Sequence, residues 1–330
     1  MIFIEEFNDF KSRNSEMRTI NRDELVQKLG HVIVLNGGLS AEREISLISG
    51  QAVFDGLQRA GVKSSLLDVG EDIADQLNQL KPDLVFNMLH GQGGEDGVIQ
   101  GFLETLGIPY TGSGVLASAL AMDKIQSKLI WRQHDLLTAG FRELTLDTDW
   151  QSVIDELGRV VVKPVNGGSS IGIAIVDDAG ALKNQFKIAR ELDSRVMAEQ
   201  FISGLEFSVP VIQNEVLLTV QLQTRKQFFD YEAKYIDEDT KIICPPNLEA
   251  GKQKELNDLV LSAFQSLGCK GLARVDVMQD TEGEFYLLEL NTIPGMTEHS
   301  FVPMSAKQSG IEFDELLLNI LDVELALITK

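Results

Sequence analysis

Four polar side chains near the carboxyl end, Arg274, Asp276, Glu289 and Asn291, fall within two apolar runs, Leu272 to Met278 and Phe285 to Asn291. Asp280-Thr281-Glu282-Gly283 separates the runs as a turn, so they read as an antiparallel hairpin. Side chains alternate faces along a strand, and opposed residues share a face. The turn predicts Met278 opposite Phe285, Asp276 opposite Leu287, and Glu289 on the diagonal from Asp276. A shift of two residues preserves the parity, so all four polar groups project from one face. Two carboxylates about 4 Å apart, at an effective dielectric near 20, repel by about 4 kcal/mol. A positive charge is therefore expected between them. Three oxygen donors on a rigid sheet form an incomplete shell that suits Mg²⁺ shared with a phosphorylated substrate. Taken alone, the hairpin is equally consistent with Arg274 pairing both acids in a surface ladder.

Other segments carry chemistry of a compatible kind. Val161-Val162-Lys163-Pro164 leads into Asn166-Gly167-Gly168-Ser169-Ser170 and a second strand. Glycine lets backbone N–H groups approach phosphate oxygens, and the serines add hydroxyl donors. No Lys-Ser/Thr follows the glycines and no helix starts there, so this is not a P-loop. An ordinary hairpin turn is the other reading. Ser40-Ala41-Glu42-Arg43-Glu44 opens a helix after an apolar strand and a Gly-Gly turn, with Ser40 in the N-cap position. Its carboxylates either answer the helix dipole or hold an ammonium group. His90 begins a glycine-rich loop, Gly91-Gln92-Gly93-Gly94-Glu95-Asp96-Gly97, at the end of another apolar strand. That position suits either a ligand or a backbone hydrogen bond. The polar stretch Thr224–Thr240 contains Tyr231, Lys234 and Tyr235, as a lid closing on phosphate would. Gly295, just past the hairpin, offers a backbone N–H of the kind that holds an oxyanion.

The elements that must position these groups follow from patterning. With 330 residues and 44% hydrophobic content, the chain can fill two or three cores. Its net charge of −21 argues against nucleic acid or anionic membrane as a partner. A phosphate-rich substrate would then need a local cluster of lysines. No apolar window approaches membrane-spanning length, and acidic residues within the first ten argue against a secretory signal. Cys244 and Cys269 lack paired spacing and read as reduced thiols of a cytoplasmic protein. Residues 1–30 read as a loosely packed extension. From His31, alternating strands and helices imply an α/β unit with a parallel sheet, residues 31–121. An α+β part follows, divided into residues 122–213 and 214–330. Within it, helices are expected at Lys124–Leu136, Ala179–Leu192, Lys252–Leu267 and Glu312–Ile328.

Taken together, the segments resemble the D-alanine–D-alanine ligases of the ATP-grasp superfamily. The resemblance rests on Gly37 to Ser46, Leu89 to Gly97, Tyr110 to Gly114, Met122-Asp123-Lys124, Lys163-Pro164 and Gly168-Ser169-Ser170. It continues through Tyr231 to Tyr235, Arg274 to Asp276, Glu289 to Thr292, Pro294 to Thr297 and His299-Ser300. It implies an N-terminal parallel-sheet (pre-ATP-grasp) domain and a two-lobed ATP-grasp fold. It further implies two Mg²⁺ ions, with Mn²⁺ as a substitute, held by Asp276, Glu289 and Asn291. ATP would meet Lys124, Lys163, Lys234, Glu199 and Glu206. The first D-alanine would place its ammonium at Glu42 and its carboxylate near His90, and Ser300 would receive the second carboxylate. Arg274 and the Gly295 N–H would meet the oxyanion. Glu42, Ser169 and Tyr235 would link the domains on lid closure. A homodimer and a role in peptidoglycan precursor synthesis are implied by the resemblance alone. The competing expectations are a ligase that joins D-alanine to D-lactate, an ATP-grasp ligase for another carboxylate, and a non-catalytic nucleotide-binding protein. Tyr235, in the Glu-Ala-Lys-Tyr segment, resembles the dipeptide-forming branch. The retained metal and lysine positions argue against a dead enzyme.

Overall fold

A computed structural model describes residues 21–168, 172–223 and 241–328. Strand β1 (Val32–Gly37) lies between β2 (Ser64–Val69) and β3 (Leu84–Asn87), all parallel. Every residue of β1 and β3 is essentially buried, as expected when helices cover both faces of a parallel sheet. The loops after β1 and β3 leave the same carboxyl edge, and they carry Glu42 and His90.

Helix α1 (Arg22–Leu29) is capped by Asn21 and sinks Leu25 and Leu29 into the N-terminal core. The last third of the expected loose extension is therefore packed structure. Helix α2 (Arg43–Arg59) begins two residues later than the Ser40 cap predicts. Ser40 Oγ instead donates to His90 O at 2.7 Å and accepts from Glu42 N at 3.1 Å. It fastens two loops together rather than ending a helix. The buried face of α2 is made of Ser46, Ser49, Gly50, Val53, Gly56 and Leu57, while Ile48 is exposed. Small residues allow close approach: a Cβ at Gly50 would overlap Asn36, and one at Gly56 would press on Leu317.

α3 (Ile73–Leu80), α4 (Val98–Leu106), α5 (Val115–Met122) and α6 (Lys124–Gln133) lead to a four-stranded antiparallel sheet. Its order is β4 (Phe141–Leu144), β7 (Val196–Gln200), β5 (Val160–Pro164), β6 (Ala174–Val176). Helices α7 (Trp150–Leu157) and α8 (Ala179–Leu192) supply the rest of its core. The remaining sheet runs β11 (Lys241–Ile243), β10 (Val220–Gln223), β8 (Gly204–Ile212), β12 (Leu272–Asp280), β13 (Phe285–Asn291), with β9 (Glu215–Val216) beside β8. Because β8 pairs with β12 along its whole length, a division at residue 213 falls inside this sheet. Helix α9 (Ala250–Ser266) packs beneath it.

The predicted hairpin register is corrected by a bulge. Near the turn Met278 faces Tyr286 and Gln279 faces Phe285, not Met278 against Phe285. A shift between Asp276 and Val277 then brings Asp276 opposite Glu289 and Arg274 opposite Asn291. Leu288 is the extra residue. The bulge flips the parity of β13 once, so Phe285, Leu287 and Leu290 all reach the core while the polar quartet stays on the opposite face.

After the hairpin, α10 (Phe301–Gln308) and α11 (Phe313–Ile328) return to the N-terminal unit. Leu316, Leu317 and Leu321 share one core with Val32, Val34 and Val53. Near the end of α11, buried Glu324 accepts from Gly112 N at 2.7 Å. Burial outweighs that N–H and Lys270 and pushes the carboxyl up to about 7. Stability tied to a raised acid is fully present below its unfolded value near 4.5 and is lost as pH rises through about 7. Glu324→Gln keeps an acceptor for Gly112 and does not ionise. Urea unfolding should show the variant gaining about 2 kcal/mol on the wild type between about pH 5 and pH 8.

Cys269 is buried and Cys244 half-buried; both are free thiols, pushed up by burial to about 12 and about 11. No helix among the described residues is long and apolar enough to cross a membrane.

Candidate active site

The polar face of β12 and β13 is built around Asp276, whose side chain is only 8% exposed. Arg274 forks onto it, Nε to Oδ1 at 2.9 Å and Nη2 to Oδ2 at 2.8 Å, and Ser208 Oγ donates to Oδ1 at 2.6 Å. Burial alone would lower the Arg274 pKa, but Asp276, Glu289 and Glu95 together raise it. Arg274 is thus a permanent buried cation. It pairs most closely with Asp276, so the simple ladder reading describes part of this face. The opposite strand adds Glu289, with Lys124 Nζ 3.3 Å from its Oε2. Asn291 Oδ1 accepts from Ile293 N at 3.0 Å, which fixes its amide. No cluster of three His, Cys, Asp or Glu forms a metal cage among the described residues. Two carboxylates and one amide oxygen nevertheless fit a hard divalent cation whose remaining ligands are water and phosphate oxygens.

Across from this face lies the central sheet. Lys124, the first residue of α6, is only 8% exposed and donates to Gly167 O at 2.5 Å. Its helix is capped by Asp123, whose Oδ1 accepts from Ile125 N and Gln126 N. Lys163 from β5 and Lys128 from α6 form ion pairs with the two oxygens of buried Glu199 on β7. Burial would raise the Glu199 pKa, but the two ammonium groups lower it overall. A cavity of about 140 Å³ separates the two sheets. Its lining mixes the charged groups Lys163, Glu199, Glu206 and Glu289 with apolar Phe201 and Leu288.

A second cavity, about 660 Å³, lies between the N-terminal loops and the central sheet. Glu42, Gly91, Asp123 and Gly168 line it. A Cβ at Gly168 would overlap Glu42 Oε1, and one at Gly91 would lie 3.3 Å from the same oxygen. The phosphate-type loop and the ammonium-type carboxylate therefore meet. His90 is buried, and its Nδ1 bonds Met88 O at 2.8 Å. Burial, and secondarily Arg274, holds its pKa down at about 4 against that hydrogen bond. The ring is neutral at ordinary pH, so Nδ1 carries the proton and Nε2 is left as an acceptor without a partner among the described residues. Glu95 Oε2 accepts from Gly91 N at 2.7 Å, and burial together with Glu42 pushes its carboxyl up to about 8. Past the hairpin, Ser300 Oγ accepts from Thr297 N at 3.1 Å, and a Cβ at Gly295 would reach it at 2.9 Å. Ser300 also stands at the N-terminus of α10.

Glu42 thus lines the larger cavity, and Lys124, Lys163, Glu199, Glu206 and Glu289 line the smaller. Arg274, Asp276 and Asn291 stand with Glu289 on the hairpin. His90, near Arg274, and Gly295 and Ser300, past the hairpin, line neither cavity. Ser169, Lys234 and Tyr235 lie outside the described residues. Sequence reasoning missed Lys128 and gave Glu95 no role. Lys128 follows Lys124 by one helical turn and precedes Trp131 by three residues, so it shares their buried face. That spacing was the available signal.

Two facing antiparallel sheets with lysines on one, a carboxylate hairpin on the other and a slot between them define an ATP-grasp enzyme. Family models described as D-ala D-ala ligase N-terminus and C-terminus match residues 63–113 and 130–322. A D-alanine–D-alanine ligase of Saccharophagus degradans is 49% identical over 294 residues, 89% of this chain and 94% of the relative. One from Pseudomonas fluorescens is 50% identical over 293 residues, 88% and 90% of the two chains. The crystal structure of a Bacillus anthracis D-alanine–D-alanine ligase superposes with a TM-score of 0.82 at 34% identity, covering 91% of this chain and 99% of that one. A structure of D-alanine–D-alanine ligase from Bacillus anthracis complexed with ATP gives 0.81 at 32% identity, with the same coverage. The chain belongs to the D-alanine–D-alanine ligase family.

Proposed function

We propose that these residues join two D-alanines at the expense of ATP, through D-alanyl phosphate. The overall reaction is the family's: ADP-forming ligation that yields the D-alanyl-D-alanine of peptidoglycan precursors. The observation that carries the reading is the meeting of Glu42, the Gly167-Gly168 loop and Lys124 with the carboxylate hairpin.

Adenine and ribose occupy the slot beside Phe201, Glu199 and Glu206, and Lys124 and Lys163 face the phosphates. The family resemblance gives the γ-phosphate to Lys234, which lies outside the described residues. Mg²⁺ held by Asp276, Glu289 and Asn291 would neutralise phosphate charge that otherwise repels an incoming carboxylate. Glu42 holds the ammonium of the first D-alanine, which points its carboxylate at the γ-phosphate. The neutral His90 offers only an acceptor at Nε2. It can accept a hydrogen bond from an ammonium or a water but cannot donate to the carboxylate that the resemblance places near it. A free carboxylate is a poor electrophile, and phosphorylation gives it a leaving group. The amine of the second D-alanine then attacks the acyl carbon. Negative charge develops on the carbonyl oxygen, where Arg274 and the Gly295 N–H stabilise it. The tetrahedral species collapses as the C–O bond to phosphate breaks, phosphate departs and the nitrogen loses its proton. Ser300 and the N-terminus of α10 receive the second carboxylate, as helix N-termini do for anions. The family resemblance assigns the linking of the domains to Glu42, Ser169 and Tyr235, the last two outside the described residues. That linkage would keep water from the acyl phosphate.

We read the enzyme as cytoplasmic and homodimeric. Val98 on α4 and Leu116 on neighbouring α5, 64% and 71% exposed, supply apolar surface for a second copy. The test of function is phosphate release from ATP with D-alanine, L-alanine, or D-alanine plus D-lactate, with product identified by mass. D-alanine-dependent release yielding D-alanyl-D-alanine without depsipeptide is expected. Depsipeptide as the main product, or no release with D-alanine, overturns the reading.

A further inference from the structure

Among the described residues, Lys128 is the one buried lysine that the proposed mechanism leaves unused. It is completely buried, donates to Thr138 Oγ1 at 2.8 Å and to Leu287 O at 3.1 Å, and forms an ion pair with one oxygen of Glu199. The other Glu199 oxygen holds Lys163. Thr138 Oγ1 in turn donates to Leu287 O at 2.8 Å, which ties this group to β13. The carboxylate is therefore shared between a lysine with no access to solvent and a lysine that lines the nucleotide cavity.

That sharing has a consequence for binding. A lysine that must meet phosphate has to relax its hold on any carboxylate it already pairs with. If Lys163 were the only partner of Glu199, its departure would leave a buried carboxylate uncompensated, which is strongly unfavourable. We propose that Lys128 is a positioning residue for nucleotide binding: it keeps Glu199 neutralised, so that Lys163 can turn to the phosphates of ATP. Burial lowers the Lys128 pKa to about 8 against the pull of Glu199, so most of the population carries the needed charge at neutral pH.

The inference rests on the assignment of Lys163 to phosphate, and the experiment separates the two. Steady-state kinetics with ATP varied at saturating D-alanine would be run on Lys128→Met, Lys128→Arg, Glu199→Gln, the Lys128→Met/Glu199→Gln double variant and Lys163→Met. Lys128→Met should raise the KM for ATP about tenfold, about 1.4 kcal/mol, with a smaller change in kcat. Lys128→Arg should restore most of the affinity. The double variant should match Glu199→Gln within about threefold, because Lys128 acts only through that carboxylate. This last comparison decides the matter even where Lys128→Met alone fails to fold. A double variant about tenfold worse than Glu199→Gln overturns the proposal, and so does a normal KM in folded Lys128→Met beside a raised one in Lys163→Met. A wild-type KM in Lys163→Met instead overturns the phosphate assignment itself.

Discussion

Glu289→Gln is expected to reduce kcat about 10³-fold, equivalent to about 4 kcal/mol of barrier, and to leave the fold intact. Glu289 is a surface-edge carboxylate, its side chain 30% exposed, opposite Asp276 and 3.3 Å from Lys124. Glutamine has the same shape and still offers an oxygen to Lys124, so thermal unfolding should barely change. What disappears is one of the two negative charges that the hairpin presents to a cation. With Asn291 neutral, the donor set falls to a single carboxylate. The measurements are kcat with Mg²⁺ varied and a thermal melt. A raised Mg²⁺ requirement should accompany the loss of turnover. Full activity at ordinary Mg²⁺ would remove the metal assignment and leave the face as the ion-pair ladder the sequence also permits.

Replacing Arg274 with methionine should cost both turnover and stability. Loss of one donor to a developing oxyanion lowers kcat by about 10²- to 10³-fold. The same change strips Asp276 of the guanidinium that forks onto both its oxygens, leaving only Ser208 on a carboxylate 8% exposed. An uncompensated buried charge typically costs about 3–5 kcal/mol, so the melting temperature should fall. Arg274→Lys separates the effects. Lysine keeps the charge but not the planar fork, so stability should largely return while kcat remains well below the wild type. A kcat within about threefold of the wild type in either folded variant would place the oxyanion elsewhere.

Both residues were legible in the chain because period-two alternation marks a strand face without knowledge of its neighbours. The individual register pairs were not. The bulge at Leu288 is one unpaired residue, and neither turn length nor alternation specifies it. Only the demand that Phe285, Leu287 and Leu290 all meet the same core selects it. Ser40 shows the same limit on a helix. Its residue type predicts a cap, but His90 O, fifty residues away in sequence, offers a better partner. The buried face of α2 was hidden because Ser46, Ser49, Gly50 and Gly56 are chosen for close approach rather than hydrophobicity.

By itself the sequence determined the local chemistry: which segments are strands, which loops are rich in glycine, and where carboxylates and lysines sit along the chain. Those properties depend on a residue and its near neighbours. The tertiary structure alone decided which charges face each other. It placed Lys128 and Lys163 on one carboxylate, set Glu42 against Gly168, and buried His90 and Glu95 beside Arg274. Burial and Coulomb interaction depend on separation in space, and segments far apart in the chain acquire that separation only when the sheets close on one another.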